Sequence, residues 1–315
     1  MCIRIENPGP LTTVQDLGRI GHMHSGFQQS GAMDWYAASL ANILCRNDEN
    51  CAVLEMTLGG ITCQFLGPAA FALCGADMHA FLDGEAVPVQ RCVHAHAGSV
   101  LKMGTADSGC RTYMAVSGGL DVPLVMGSRS TNLRCEIGGF EGRRLRAGDV
   151  LSVFPSENTP EEASASVLTD LKEQTLIRAV PGPQDDFFTK EGIRTFFSES
   201  YTVTPASDRM GMKLSGPAPQ AKSGTDIVSD GIALGSVQIP AGGQPIILLA
   251  DRQTVGGYAK IATVIRADLP KLAQMRPGDA VRFVKTSRKE ALTALKEMQD
   301  ALADIKHQLW KKVSE

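Results

Sequence analysis

The sequence is poor in the features that most readily announce a function. Aromatic residues make up 5% of the chain, too few for the stacking surfaces that hold single-stranded nucleic acid. The formal net charge is -3, so no field of one sign would draw nucleic acid or an acidic membrane. No apolar run approaches the ~20 residues of a membrane-spanning helix. The opening MCIRIENPGP has no basic start followed by an apolar core, so no signal peptide is expected. Neither a GxSxG elbow nor a glycine-rich Walker loop occurs. With 315 residues, 43% of them apolar and 21% charged, the expectation is a soluble, cytoplasmic protein with room for two domains.

The eight cysteines are also unpatterned. Cys2, Cys45, Cys51, Cys63, Cys74, Cys92, Cys110 and Cys135 all lie in the first half, none spaced as CxxC. They are expected to be reduced, half-buried small hydrophobes. Cys92, His94 and His96 alternate along one strand face, and His22 and His24 lie elsewhere. Spacing fixes no fourth ligand, so no metal site is assigned. Cys74 closes an apolar strand with no His fixed beside it and reads as structural. Leu101-Lys102-Met103 resembles a biotin attachment site but lacks the methionine before the lysine and lies inside a strand pattern. No covalent biotin is expected on this chain.

What is present is a set of polar clusters that end apolar strands. The fullest is ADRQTVGGYAK, 250–260, which gathers Asp251, Arg252, Gln253, Thr254, Gly256, Gly257, Tyr258 and Lys260 behind the apolar run Pro245–Ala250. Charges there can hardly all enter a core unpaired, and two adjacent glycines permit positive φ and close backbone approach. Three further clusters are TTVQDLGR with Asp16 and Arg19, GSRST with Ser128 and Arg129, and SDRMG with Arg209. Arginine with hydroxyls and backbone amides is the usual equipment for a carboxylate or phosphate. Glu55 closes the run Ala52-Val53-Leu54 and must find a partner or a ligand. Gln238 precedes IPAGGQP, 239–245, which is either a barrel hairpin or a cradle of open amides.

The chain reads as two halves of one plan. LRAGDVL, 145–151, and MRPGDAV, 275–281, each look like a tight turn into a closing strand. Short strands, among them Cys63–Leu66, Ala70–Cys74, Tyr113–Val116 and Val150–Phe154, alternate with Gly, Pro and Asp turns, which favours closed or sandwich-like β structure. Trp35–Leu44 has helical spacing with Asp34 as its cap, and helical turns are expected at Asp185–Phe188 and Gly192–Phe197. From Ser287 to Lys312, Leu295, Met298, Leu302, Ile305 and Leu309 draw one apolar stripe, expected to pack on the chain's own barrel.

Six motifs, TTVQDLGRIG, SGAMD, AVSGGLDVP, GSRST, SDRMGMKL and LLADRQTVGGY, occur in order between about Ile3 and Phe283. On these the chain resembles the biotin-dependent carboxyltransferase family, which includes the second subunit of allophanate-hydrolase-like pairs. The resemblance implies a mainly β fold of two cyclophilin-like β-barrels, 1–155 and 175–285, a linker at 156–174 and a helix at 286–315. It implies a subunit of an ATP-dependent 5-oxoprolinase complex, opening 5-oxoproline to L-glutamate. The alternatives are the carboxyltransferase part of a urea-type carboxylase, or a non-catalytic antagonist of a histidine-kinase inhibitor. The expected catalytic groups are Asp16, Arg19, Glu55 and Arg252. The expected substrate-binding groups are Asp34, Ser128, Arg129, Arg209, Gln238, Asp251, Gln253, Thr254, Gly256, Gly257, Tyr258 and Lys260. ATP, with or without magnesium held by Asp34, Glu55 and Asp251, would be shared with partners resembling the complex's A and B subunits.

Overall fold

Asp34 accepts a hydrogen bond from the Ala37 amide at 2.9 Å and so starts helix α1, Trp35–Leu44, where the sequence places it. Every residue of α1 from Ala37 onward is buried, as its composition of alanine, leucine and isoleucine requires. The computed structural model describes residues 1–156, 160, 164 and 174–311; the linker expected at 156–174 lies almost wholly outside them. The described chain is mainly β and divides into two compact units.

The first unit gathers Met1–Ile20, Ser30–Thr169 and Gln299–Glu315. Its strands are β1 Cys2–Asn7, β2 Leu11–Gln15, β3 Val53–Thr57, β4 Thr62–Phe65, β5 Ala69–Gly75, β6 Ala80–Leu82, β7 Glu85–Val87, β8 Cys92–Ala95, β9 Val100–Lys102, β10 Arg111–Val116, β11 Leu120–Asp121 and β12 Val150–Val153. They form a seven-stranded sheet, β11-β12-β1-β4-β9-β6-β7, and a five-stranded sheet, β2-β3-β10-β5-β8. Side chains alternate across a strand, and β5 shows the result. Phe71 and Leu73 join Ile3, Ile5 and Phe65 in the main core, while Ala70, Ala72 and Cys74 face α1. Leu302, Ile305 and Leu309 pack on that second cluster, which is where three of the five residues of the predicted helical stripe are spent.

The second unit gathers Gly21–Gln29 and Asp170–Met298. Its elements are β13 Gln174–Pro181, α2 Lys190–Ser198, β14 Ser200–Val203, β15 Gly211–Ser215, β16 Asp226–Gly231, β17 Ser236–Gln238, β18 Ile246–Leu248, β19 Val255–Tyr258, β20 Lys260–Val264, α3 Leu269–Ala273 and β21 Ala280–Lys285. Helix α4, Arg288–Lys311, follows. Seven strands close a barrel in the order β13-β20-β17-β18-β15-β14-β21. The closure is a parallel pairing of β13 with β21, from Gln174 opposite Ala280 to Ala179 opposite Lys285. Phe196 stacks on Phe283 at 4.4 Å between ring centres, with Tyr201 beside them. Strands β16 and β19 form a separate two-stranded ribbon.

The repeated turn is real in three dimensions. In the first unit the Arg146 amide donates to Asp149 Oδ2 at 2.7 Å, Gly148 has φ +94°, and the Asp149 carbonyl accepts from the Ile5 amide at 2.8 Å. In the second the Arg276 amide donates to Asp279 Oδ2 at 2.7 Å, Gly278 has φ +98°, and the Asp279 carbonyl accepts from the Val203 amide at 2.9 Å. Each glycine is needed because only glycine adopts that backbone angle without cost. The segment 239–245 is likewise a hairpin between β17 and β18, with the Gly243 amide donating to the Pro240 carbonyl at 2.8 Å.

Candidate functional site

The polar clusters read from the sequence separate into two kinds. In the first unit Asp16 is a structural knot. Its Oδ1 accepts from the Gly18 amide at 2.8 Å, Ser128 Oγ at 2.7 Å and Ser130 Oγ at 2.5 Å, and its Oδ2 accepts from the Arg129 amide at 2.5 Å. The carboxylate therefore draws GSRST onto the DLGR turn and is only 3% exposed. Arg19 is buried beside it, giving Nε to the Val125 carbonyl and Nη2 to the Ser130 carbonyl. Arg129 gives Nε to the Val122 carbonyl and lies over the Phe154 ring at 5.2 Å. Asp16, expected to act on substrate, is hydrogen-bonded to groups of its own chain, and Arg19 gives two of its three nitrogens to backbone carbonyls.

Glu55 is spent in the same way. Its Oε2 accepts from Tyr113 Oη and from the Met33 amide, each at 2.8 Å, and Tyr113 Oη in turn accepts from the Asp34 amide at 2.8 Å. Arg111 Nε stands 3.9 Å from Oε1. Glu55 is thus a buried strut that fixes SGAMD ahead of α1, and Asp34 is that helix's cap. Burial beside Glu55 and Asp34 pushes the Tyr113 hydroxyl well above its ordinary value. Cys74 lies fully buried behind them, its thiol pushed up by desolvation.

In the second unit Arg209 and Asp251 neutralise each other. Nε donates to Oδ2 at 2.8 Å and Nη2 to Oδ1 at 3.2 Å, the two-pronged geometry that suits a buried pair. Magnesium is not assigned to Asp34, Glu55 or Asp251, because each is held by protein donors; among the described residues no three His, Cys, Asp or Glu side chains gather in metal-binding geometry.

Arg252 and Lys260 are different. Arg252 is 4% exposed and among the described residues binds only neutral groups: Nε to the Ile232 carbonyl at 3.1 Å, Nη1 to the Leu249 carbonyl at 3.4 Å, and Nη2 to Gln29 Oε1 at 3.3 Å and Met23 Sδ at 3.5 Å. Desolvation without a counter-charge pulls its pKa down to about 10. Lys260 is 2% exposed, and its Nζ has one ionic neighbour, the half-exposed Asp230 carboxylate at 3.3 Å. Asp230 is held below the usual carboxylate range by the Gly231 amide and by Lys260. Both cations are tied to the same stretch, Asp230–Ile232, at the end of β16.

The remaining expected residues surround that stretch. Gly256 pairs with Asp230 across the ribbon. A Cβ on Gly256 would meet Ile232 Cδ1 at 2.7 Å and Gln238 Nε2 at 2.8 Å. Gly256 and Gly257 are absent from the positive-φ glycines, so the expected backbone freedom is not what they supply; Gly256 is there for space. Gln238 Nε2 donates to the Tyr258 carbonyl at 3.4 Å. Thr254 gives its carbonyl to the Ile232 amide at 3.1 Å, Gln253 is exposed and Tyr258 is 40% exposed. Sequence reading missed Met23, Gln29, Gln184 and Asp230. Gln184 Oε1 accepts from the Lys260 amide at 3.2 Å. Asp230-Gly231 carried a turn signal, whereas the glutamines carried none.

The fold and this arrangement place the chain in the family of the carboxyltransferase domain, subdomains A and B, whose model matches residues 25–285. The chain belongs to that family. It is 41% identical over 297 residues to the C subunit of 5-oxoprolinase from Escherichia coli (strain K12), covering 94% of this chain and 95% of the relative. It is 35% identical over 318 residues to urea amidolyase of Saccharomyces cerevisiae, covering 95% of this chain and 17% of that one. Its structure matches the crystal structure of K. lactis urea amidolyase with a TM-score of 0.92 and 29% identity over 96% of this chain, which spans 20% of that protein. No helix among the described residues is long and apolar enough to cross a membrane.

Proposed function

We propose that the chain is a subunit of a cytoplasmic, ATP-dependent 5-oxoprolinase and that Arg252, with Lys260, receives the anionic end of its substrate. The observation that carries this reading is the buried Arg252 guanidinium, which has four neutral contacts and no carboxylate. A cation left uncompensated in a protein interior is costly, and an anionic ligand offsets that cost. Mutual coverage with the C subunit of the E. coli 5-oxoprolinase over more than nine-tenths of both chains supports the choice of reaction.

The substrate carries a carboxylate and a ring amide that is a poor electrophile. Arg252 suits the carboxylate or a phosphorylated oxygen, since its fork binds two oxygens at once. Lys260 suits charge that builds up during ring opening, and Asp230 holds its ammonium in place. Gly256 lets Ile232 and Gln238 pack close against the ribbon, since a Cβ there would meet Ile232 Cδ1 at 2.7 Å and Gln238 Nε2 at 2.8 Å. ATP would supply the phosphoryl group that activates the amide oxygen. The sequence has no glycine-rich loop to cradle a triphosphate. The nucleotide would therefore be shared between this chain and partners resembling subunits A and B of the same complex.

The test is an assay of 5-oxoproline-dependent ATP hydrolysis with the chain alone and with those subunits. Turnover is expected only in the assembled complex. Robust turnover by the isolated chain would overturn the shared-site reading. A second reading, carboxyl transfer in a urea-type carboxylase, draws on the TM-score of 0.92 to K. lactis urea amidolyase; copurification of a biotinylated protein would favour it.

A further inference from the structure

Arg252 presents its three donor nitrogens unequally. Nε and Nη1 are directed at backbone carbonyls, of Ile232 and Leu249, that belong to the barrel and its ribbon. Nη2 faces side chains, Gln29 Oε1 at 3.3 Å and Met23 Sδ at 3.5 Å. A thioether is a weak acceptor, so the amide oxygen of Gln29 is the one strong acceptor on that corner. Both side chains are half-buried.

These two residues lie on one short turn, residues 21–29. Residues 21–29 turn at Gly21, φ +92°, and Gly26, φ +83°, and a Cβ at either would meet nothing within 4 Å. Glycine is thus required there for its backbone angle and not for space. The 3-10 turn Met23–Ser25 buries no residue. The Ser25, Gly26 and Phe27 amides donate to His22 and Met23 carbonyls within the segment, and Gln28 is buried.

We propose that Gln29 is a gating and positioning residue for Arg252, its amide oxygen standing in for the carboxylate or phosphoryl oxygen that takes Nη2 in the ligated state. The inference rests on Arg252 as the anion receptor. In the empty site Gln29 keeps Nη2 hydrogen-bonded and aimed. An anionic oxygen bonds a guanidinium about twice as strongly as a neutral one, so it displaces the Gln29 amide from Nη2. A carboxylate at position 29 would have nearly the same shape but would not yield.

The experiment is calorimetric titration of the purified chain at low salt with 5-oxoproline in one arm and inorganic phosphate in the other. Wild type is expected to bind one of them, and the responding arm identifies which oxyanion the site prefers. Gln29→Ala is expected to bind at least as tightly as wild type. Gln29→Glu is expected to bind ~10-fold or more weakly while its thermal midpoint rises, which separates an occupied site from a misfolded one. Arg252→Lys supplies the reference for a lost receptor. Gln29→Glu binding as wild type does, or Gln29→Ala losing binding as fully as Arg252→Lys, would overturn the gating role and leave the receptor standing. If wild type responds to neither anion, the receptor reading falls and the gating role falls with it.

Discussion

The Asp16 knot and the Arg252 site are assembled from the same few residue types, yet they end in opposite electrostatic states. At Asp16 one buried carboxylate meets four donors from its own chain. At Arg252 one buried guanidinium meets four neutral contacts and no carboxylate. The first is closed: nothing about it improves when a ligand arrives. The second is open, because an anion would relieve its desolvated charge. Charge type alone marks a polar cluster as interesting, and the state of its partners decides whether it holds the fold or a ligand.

The sharpest way to break the comparison is at the knot. Asp16→Ala leaves buried amide and hydroxyl donors without an acceptor, at ~1–3 kcal/mol for each that finds no other partner. The expected loss is about 4 kcal/mol of unfolding free energy in urea melts, and a change under ~1 kcal/mol would show that the knot is dispensable. Next in size is Asp251→Ala, which strands Arg209 in the interior. Breaking a buried pair from one side typically costs ~3–5 kcal/mol, and with Arg209 7% exposed at its side chain the lower figure is expected. Restoring neutrality with Arg209→Leu in the same chain should recover most of it.

At the open site the same logic predicts the reverse pattern. Arg252→Lys keeps a charge but loses the fork, so 5-oxoproline-dependent turnover of the assembled complex should fall ~10- to 100-fold while stability stays within ~0.5 kcal/mol. Unchanged catalytic efficiency would move Arg252 into the structural class with Asp16. The smallest effect concerns alkaline pH. The Arg252 pKa is lowered to about 10 in the folded protein, so the unfolded chain binds more protons from there up to the ordinary arginine range. Stability from this group is therefore fully present above that range and lost as pH falls through about 10. Between pH 9 and 10.5 wild type should gain ~0.5–1 kcal/mol relative to Arg252→Met; parallel curves would mean that the guanidinium is already compensated.

Much of the fold was legible because it is written in local chemistry. Asp34 as cap, the span of α1, the paired RxGD turns and most strands follow from periodicity and turn residues. The helix expected at Ser287 begins one residue later, where Ser287 Oγ and Glu290 cap each other. The candidate site was legible only by residue type. ADRQTVGGYAK drew attention to Arg252 and Lys260, but nothing local says that Asp251 is claimed by Arg209, 42 positions away, or Asp16 by Ser128. Gln29 was invisible because a glutamine beside a glycine turn has no periodicity, and its meaning comes from a guanidinium 223 positions later. The glycine pair misled for a related reason: positive φ is a backbone state set by strand pairing, and β19 holds both glycines extended.

The C-terminal helix has a consequence for how this chain is made. Leu302, Ile305 and Leu309 complete the apolar cluster that α1 forms with β5 and β10, while residues 170–298 belong to the other unit. On the ribosome the first unit is therefore synthesised in instalments. Its sheets can pair once β12 has emerged, but one face of its five-stranded sheet waits until the whole of the second unit has been translated. During that interval Ala70, Ala72 and Ala115 lack part of their cover, and the nascent chain carries an apolar face of the kind chaperones retain. A stall at residue 298 would leave a first unit that is paired but unsealed, and ribosome-bound chains arrested there should be more readily cleaved by protease within β5 and β10 than the released 315-residue chain.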